Sequence, residues 1–200
     1  MASDILGRTN QAFPKRWIRL VGFPDLMPSD QVASALKDKT VIDISANPAL
    51  WGGQMRGTEA LLMTRGGMEI ERAPDEKAAC DLIQAHLIET LSAIGREHID
   101  FYFLQVRRAL EEFQINGALQ ALENAKQEGH IKFLGLAAEG HGLAVQSVWQ
   151  FRDAFEVLLL KEPDAGLQGL AQERRVGVVT EFESEHTVLL PSNSPIGASR

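Results

Sequence analysis

The stretch that most restricts the fold runs over residues 91–105, LSAIGREHIDFYFLQ. Ahead of it Leu82, Ala85, Leu87, Ile88, Leu91 and Ile94 recur at helical spacing, interrupted by His86. Gly95 follows, a residue that accepts the positive φ at which helices commonly end. Residues 99–106 are then almost wholly apolar and aromatic. A strand without polar alternation must be covered on both faces, as in a parallel sheet flanked by helices. The stretch therefore predicts an α/β fold.

The rest of the chain repeats that unit. Strands are predicted over 18–23, 40–45, 59–65, 99–106, 131–137, 155–160, 176–182 and 187–190. Between them lie a short amphipathic segment after Ser29, a loop holding Pro48, Trp51 and Gly52-Gly53, and a long helix opened by Pro74-Asp75-Glu76. Further helices are predicted over 116–128, 142–152 and 166–174. Alternating strands and helices predict parallel pairing through right-handed crossovers, and eight strands predict a compact (β/α)8 barrel formed by residues 1–200 as one domain. Such barrels usually take about 250 residues. With 200 here, helices are expected to be missing or shortened after strands three and seven and at the C-terminus.

Composition narrows the partners. A net charge of −7 argues against nucleic acid or an anionic membrane surface. No apolar run approaches the roughly 20 residues of a membrane span, and the N-terminus shows no hydrophobic signal core. The one cysteine, Cys80, forms no internal disulfide, which fits a reducing cytoplasm. No group of His, Cys, Asp and Glu has metal-ligand spacing.

Several short motifs, in order, are similar to the aldo/keto reductase family: Ile99-Asp100 with Tyr102; residues 121–136, ALENAKQEGHIKFLGL; residues 170–179, LAQERRVGVV; and residues 188–193, VLLPSN. Leu6-Gly7-Arg8-Thr9 resembles the start of the hairpin that closes the barrel floor in that family. The resemblance implies an NADPH-dependent carbonyl reductase whose tyrosine is the general acid, tuned by a lysine paired with an aspartate, beside a histidine that orients the carbonyl. Carried over residue by residue, the aspartate is Asp43, the lysine position holds Arg65, and the histidine position holds Gln105. The tyrosine should follow near Pro48 to Trp51, yet Tyr102 is the only tyrosine and already fills a structural place in strand four. Arginine keeps the lysine's charge but cannot act as a tunable base. At the cofactor positions Ala137 and Ala138 replace a serine and asparagine, Leu159 falls near a glutamine, and Ser192 and Asn193 stand where a glycine and basic residues would grip a phosphate.

These departures predict a protein without the family's reductase activity and with no bound cofactor, NADPH being expected only if that activity is retained. Three functions stay open: a structural or regulatory subunit that meets a protein partner or a second copy; a reductase using Asp43, Arg65 or Glu181 as an altered acid; and a nucleotide or anion-binding module. Leu61, Met63, Val178 and Phe182 are expected to face outward, or to lie under an irregular cover, where helices are short. Arg65, Arg107, Arg108, His141 and Lys161 follow strand ends; together they would make an anion pocket, or else pair singly with Glu139, Glu162 or Glu181. Trp51 would cap a ligand or plug the barrel mouth. His86 reads as a packed helix residue, and Cys80 has no base near it in sequence.

Overall fold

The computed structural model describes residues 3–14, 17–20, 40–180 and 187–189. Strands β1 (Ser3–Ile5) and β2 (Ala12–Pro14) form an antiparallel hairpin. Eight parallel strands follow: β3 (Trp17–Arg19), β4 (Val41–Asp43), β5 (Leu61–Gly66), β6 (Ile99–Val106), β7 (Ile131–Ala138), β8 (Val157–Leu160), β9 (Gly177–Thr180) and β10 (Thr187–Leu189). They are hydrogen-bonded in the order β10-β3-β4-β5-β6-β7-β8-β9. This is chain order with the last strand laid beside the first, as in a (β/α)8 barrel; among the described residues β9 and β10 are the two ends of the order. The predicted helix after Ser29, and the strand ends beyond Leu20 and Thr180, lie outside the described residues.

Strand alternation sorts the side chains. Trp17, Val41, Met63, Phe101, Phe103, Phe133, Ala137, Val157, Leu159 and Val179 gather in one interior cluster. Trp17 on β3 sits 5.0 Å, centroid to centroid, from Phe101, three strands away along the sheet. A flat sheet would hold them about 14 Å apart, so the sheet curls. Phe13 of the hairpin enters from below, edge-on to Phe101 at 5.0 Å and to Phe133 at 5.6 Å, and so floors the barrel. Arg8 ties this floor to the wall, donating to the Asp153 carboxylate at 2.9 Å and to the Phe155 carbonyl.

On the other face Ile42, Leu62, Tyr102, Leu104, Leu134, Leu136 and Leu158 meet the helices. These are α1 (Pro48–Met55), α2 (Glu76–Ile94), α3 (Glu112–Gln127), α4 (Gly142–Phe151) and α5 (Ala165–Glu173). Helix α2 starts where Asp75 accepts from the Ala78 N–H at 2.7 Å and stops at Gly95, φ +63°. Arg96 then donates to the carbonyls of Met55, Thr58 and Ala60, pinning the loop between α1 and β5. Asp100 faces outward at the start of β6 and accepts the Leu62 N–H at 2.9 Å, joining β6 to β5 by a side chain.

Three expectations need correction. The segment with Pro48, Trp51 and Gly52-Gly53 is a helix, because Asn47 caps it (Leu50 N to Oδ1, 3.3 Å) and proline suits its first turn. Gly52 serves a crossing: a Cβ there would lie 1.8 Å from the Ala93 carbonyl of α2. The shortened helix is thus α1, ahead of β5, while the helix after β5 is the 19-residue α2. Leu61 and Met63 point into the barrel, since the register that places Arg65 inward places them inward too. Val178 does face the helices and is half-buried against them; Phe182 lies outside the described residues. After β9 only residues 181–186 precede β10. Those residues lie outside the described ones.

Candidate site at the barrel mouth

From β3 to β7 the inward-facing position at, near or just past each strand end is polar. Arg19 ends β3, Asp43 ends β4, Arg65 stands near the end of β5, Gln105 near the end of β6, and Glu139 directly follows β7. Below them the interior is aromatic and aliphatic, so this layer is where water first meets the barrel. It is also the C-terminal end of the strands, where barrels of this kind place their sites.

The layer closes on itself. Arg65 donates from Nη2 to Asp43 Oδ2 at 2.5 Å, and both side chains are buried. Its Nη1 lies 3.8 Å from Glu139 Oε1, and Gln105 Nε2 donates to the same oxygen at 2.7 Å. Arg19 Nε stands 3.7 Å from Asp43 Oδ2. The other Asp43 oxygen accepts the Ser45 N–H at 2.9 Å and the Ser45 hydroxyl. Ser45 Oγ in turn accepts the Arg65 N–H at 2.9 Å. Buried charges persist only when paired and hydrogen-bonded, and here each carboxylate meets that condition through its neighbours.

Tyr102 is on the opposite face of β6. It is fully buried against α2, its hydroxyl 2.9 Å from His86 Nδ1, and burial holds its pKa well above the usual phenol range. Trp51 is likewise buried in the helix layer, with no part in the mouth, because α1 turns it onto the outer core. Of the positions carried over for the cofactor, Ala137 and Leu159 line the interior and Ala138 packs on the helix side at the rim. Ser192 and Asn193 lie outside the described residues.

The five cations after strand ends do not gather into one pocket. Arg65 belongs to the mouth network and is paired in part with Glu139. Arg107 and Arg108 both turn to Glu71, at 3.4 and 3.1 Å, a partner made available by the 3-10 turn Met68–Arg72. His141 and Lys161 border a cavity of about 570 Å³ between the β7–α4 and β8–α5 loops, with Glu139, Gln146, Glu162 and Asp164. His141 Nδ1 caps α4 by accepting the Leu143 N–H at 3.2 Å, and Asp164 Oδ1 caps α5 by accepting the Leu167 N–H at 2.9 Å. Among the described residues no group of His, Cys, Asp and Glu is placed to hold a metal, and no helix is long and apolar enough to cross a membrane.

Sequence reasoning found Asp43, Arg65 and Gln105 but not Ser45 or Arg19 as their partners. The signal for Ser45 is its place two residues after a strand-ending aspartate, where a serine side chain and N–H turn back on that carboxylate. For Arg19 the signal is its alternation with the interior residue Trp17.

No family model matches the chain, and no curated protein matches it. Solved structures do. An aldo-keto reductase from Bacillus halodurans superposes with a TM-score of 0.69 at 16% identity, over 90% of this chain and 64% of that one. An aldo/keto reductase from Brucella melitensis gives 0.64 at 13% identity, covering 88% and 70%. A Bombyx mori aldo-keto reductase solved in complex with NADP gives 0.64 at 14% identity, covering 90% and 66%. The chain spans about two thirds of these proteins and has the aldo-keto reductase fold.

Proposed function

We propose that this chain is a non-catalytic protein of aldo-keto reductase fold, acting in the cytoplasm as a structural or regulatory subunit of a larger assembly. The observation that carries this reading is the closed mouth: Asp43, Arg65, Glu139, Gln105 and Ser45 hydrogen-bond and ion-pair with one another. Carbonyl reduction needs an O–H donor that can approach the substrate oxygen. The chain's only tyrosine is turned away from the mouth, and the mouth's carboxylates are held by arginine, serine and glutamine. Large apolar side chains exposed on α2 and α4, among them Ile88 and Leu143, support a role that includes binding another protein.

The test is turnover together with binding. The expected result is no NADPH oxidation above the buffer rate with aromatic or sugar aldehydes, and no micromolar binding of NADPH by calorimetry. Turnover abolished by Asp43→Asn or Arg65→Met would replace this reading with a reductase that uses an altered acid. NADPH is then the expected cofactor, as the NADP in the Bombyx mori neighbour suggests. Binding of NADPH or another nucleotide without turnover would favour a binding module, for which the 570 Å³ cavity beside His141 and Lys161 is the natural seat.

A further inference from the structure

His86 and Tyr102 form a buried contact that the barrel mouth does not use. The Tyr102 hydroxyl lies 2.9 Å from His86 Nδ1, with the rings edge-on at 5.6 Å. Burial keeps the phenol protonated, and among the described residues His86 Nδ1 is the acceptor within reach of its hydroxyl. With Nδ1 accepting, the imidazole is neutral with its proton on Nε2. The site is tight: a Cβ at Gly66 of β5 would lie 2.4 Å from both the imidazole and the Tyr102 oxygen. An imidazolium has no lone pair on Nδ1. It would donate to the phenol oxygen and strand the phenol proton, because among the described residues no other acceptor bonds Tyr102.

Among the described residues the charged groups near enough to act electrostatically on His86 are two carboxylates, Glu69 from the 3-10 turn and Glu89 from the next turn of α2. Both are exposed. The backbone at His86 is fixed, since its carbonyl accepts the Thr90 hydroxyl at 2.8 Å. Only the side chain is free to change partner.

We infer that His86 is a pH-responsive latch between α2 and the barrel wall. Neutral, it holds the Tyr102 hydroxyl; protonated, it releases Tyr102 and turns to Glu69 and Glu89. The same turns of α2 carry Leu82 and Ala85, which with Ala73, Pro74 and Ala78 line a mainly apolar groove of about 620 Å³ that Glu69, Arg72 and Asp81 also border. Release toward Glu69 would set a cation at the edge of that groove, so acid would alter the surface it offers.

Nitrogen-15 NMR of the histidine side chains tests this in the intact chain. Expected for wild type are the Nε2–H tautomer at His86 and a protonation midpoint below the ordinary imidazole value of 6.5. Tyr102→Phe should raise the His86 midpoint by about one pH unit, and Glu69→Gln with Glu89→Gln should lower it. Exchange of α2 amides should quicken below the midpoint, after correction for the intrinsic pH dependence. An Nδ1–H tautomer, a midpoint at or above the ordinary imidazole value, or an unchanged midpoint in Tyr102→Phe would each overturn the latch. The wild-type tautomer alone decides the matter if the variant does not fold.

Discussion

The closed mouth makes its clearest prediction when one partner is removed. Arg65→Met keeps much of the side-chain volume but takes away the cation 2.5 Å from Asp43. Asp43, itself buried, would keep the Ser45 N–H and hydroxyl and a more distant Arg19 at 3.7 Å. Breaking a buried pair by removing one member costs about 3–5 kcal/mol when the other charge is left uncompensated. The surviving Ser45 bonds place this case at the low end, about 3 kcal/mol. For a chain of this size that is a fall in Tm of about 6–12 °C. Asp43→Asn should cost about 2–3 kcal/mol by the same reasoning, because the Arg65 guanidinium would lose the charge of its short partner, while Glu139 stands farther off at 3.8 Å. The double variant should be less destabilised than the sum of the two, by about 2 kcal/mol of coupling. Urea unfolding monitored by tryptophan fluorescence supplies all three values. Single variants within about 0.5 kcal/mol of wild type, or a coupling below that, would refute the reasoning and mean that the mouth is solvated and open to a ligand.

Gly117→Ala should destabilise despite alanine's better helix propensity, worth about 1 kcal/mol, because the new Cβ would lie 2.1 Å from the Glu76 carbonyl where α3 crosses α2; chemical denaturation checks the sign. Burial lowers the His86 pKa below 6.5 in the folded protein, so the unfolded chain takes up its proton first: stability from this residue is whole above about pH 6.5, is lost as pH falls toward the folded value, and should lose that dependence in His86→Gln. The Arg8 hydrogen bond lowers the Asp153 pKa below 3.8, so its contribution is present above that value and lost as pH falls through the folded one. Because Asp153 is half-exposed, Asp153→Asn should change stability at pH 7 by less than about 1 kcal/mol, read from the same pH-stability curve.

The parts of the fold legible in the sequence are those where one physical signal stood alone. Ile99 to Val106 has only one covered-strand solution, and the structure gives β6 those bounds. The Gly95 stop and the Asp75 start of α2 are local chemistry, so they too were readable. Gly52-Gly53 misled because glycine has two uses. It frees the backbone in turns, and it lets two backbones approach; only the position of Ala93, 41 residues on, decides between them. Leu61 and Met63 were misassigned because a run such as LLMTR has no alternation to set its face. The inward pull of Arg65 toward Asp43 sets it, and that pairing is a tertiary fact. Asp43, Arg65 and Gln105 could be located by their places at strand ends. That they would bond to one another could not, since strand order and barrel curl bring them together.

The layering of the interior explains why a short chain can still hold the barrel shape while changing its mouth. The lower layers are filled by Trp17, Phe13, Phe101, Phe103 and Phe133, whose rings meet at centroid distances of 5.0 to 6.3 Å. Aromatic side chains bury some 150–250 Å² each, so these few residues contribute apolar burial on the scale of several aliphatic layers. The floor is therefore held independently of the mouth. The mouth is coupled to the fold by Asp43, Arg65 and Ser45 across β4 and β5, through hydrogen bonds that join neighbouring strand ends. Substituting those residues should loosen the upper strand ends while leaving the aromatic floor packed. Amide exchange in Arg65→Met should accordingly rise at Ile44, Ser45 and Arg65 and stay slow at Phe101 and Phe133. Uniform acceleration across all five positions would show instead that mouth and floor unfold as one unit.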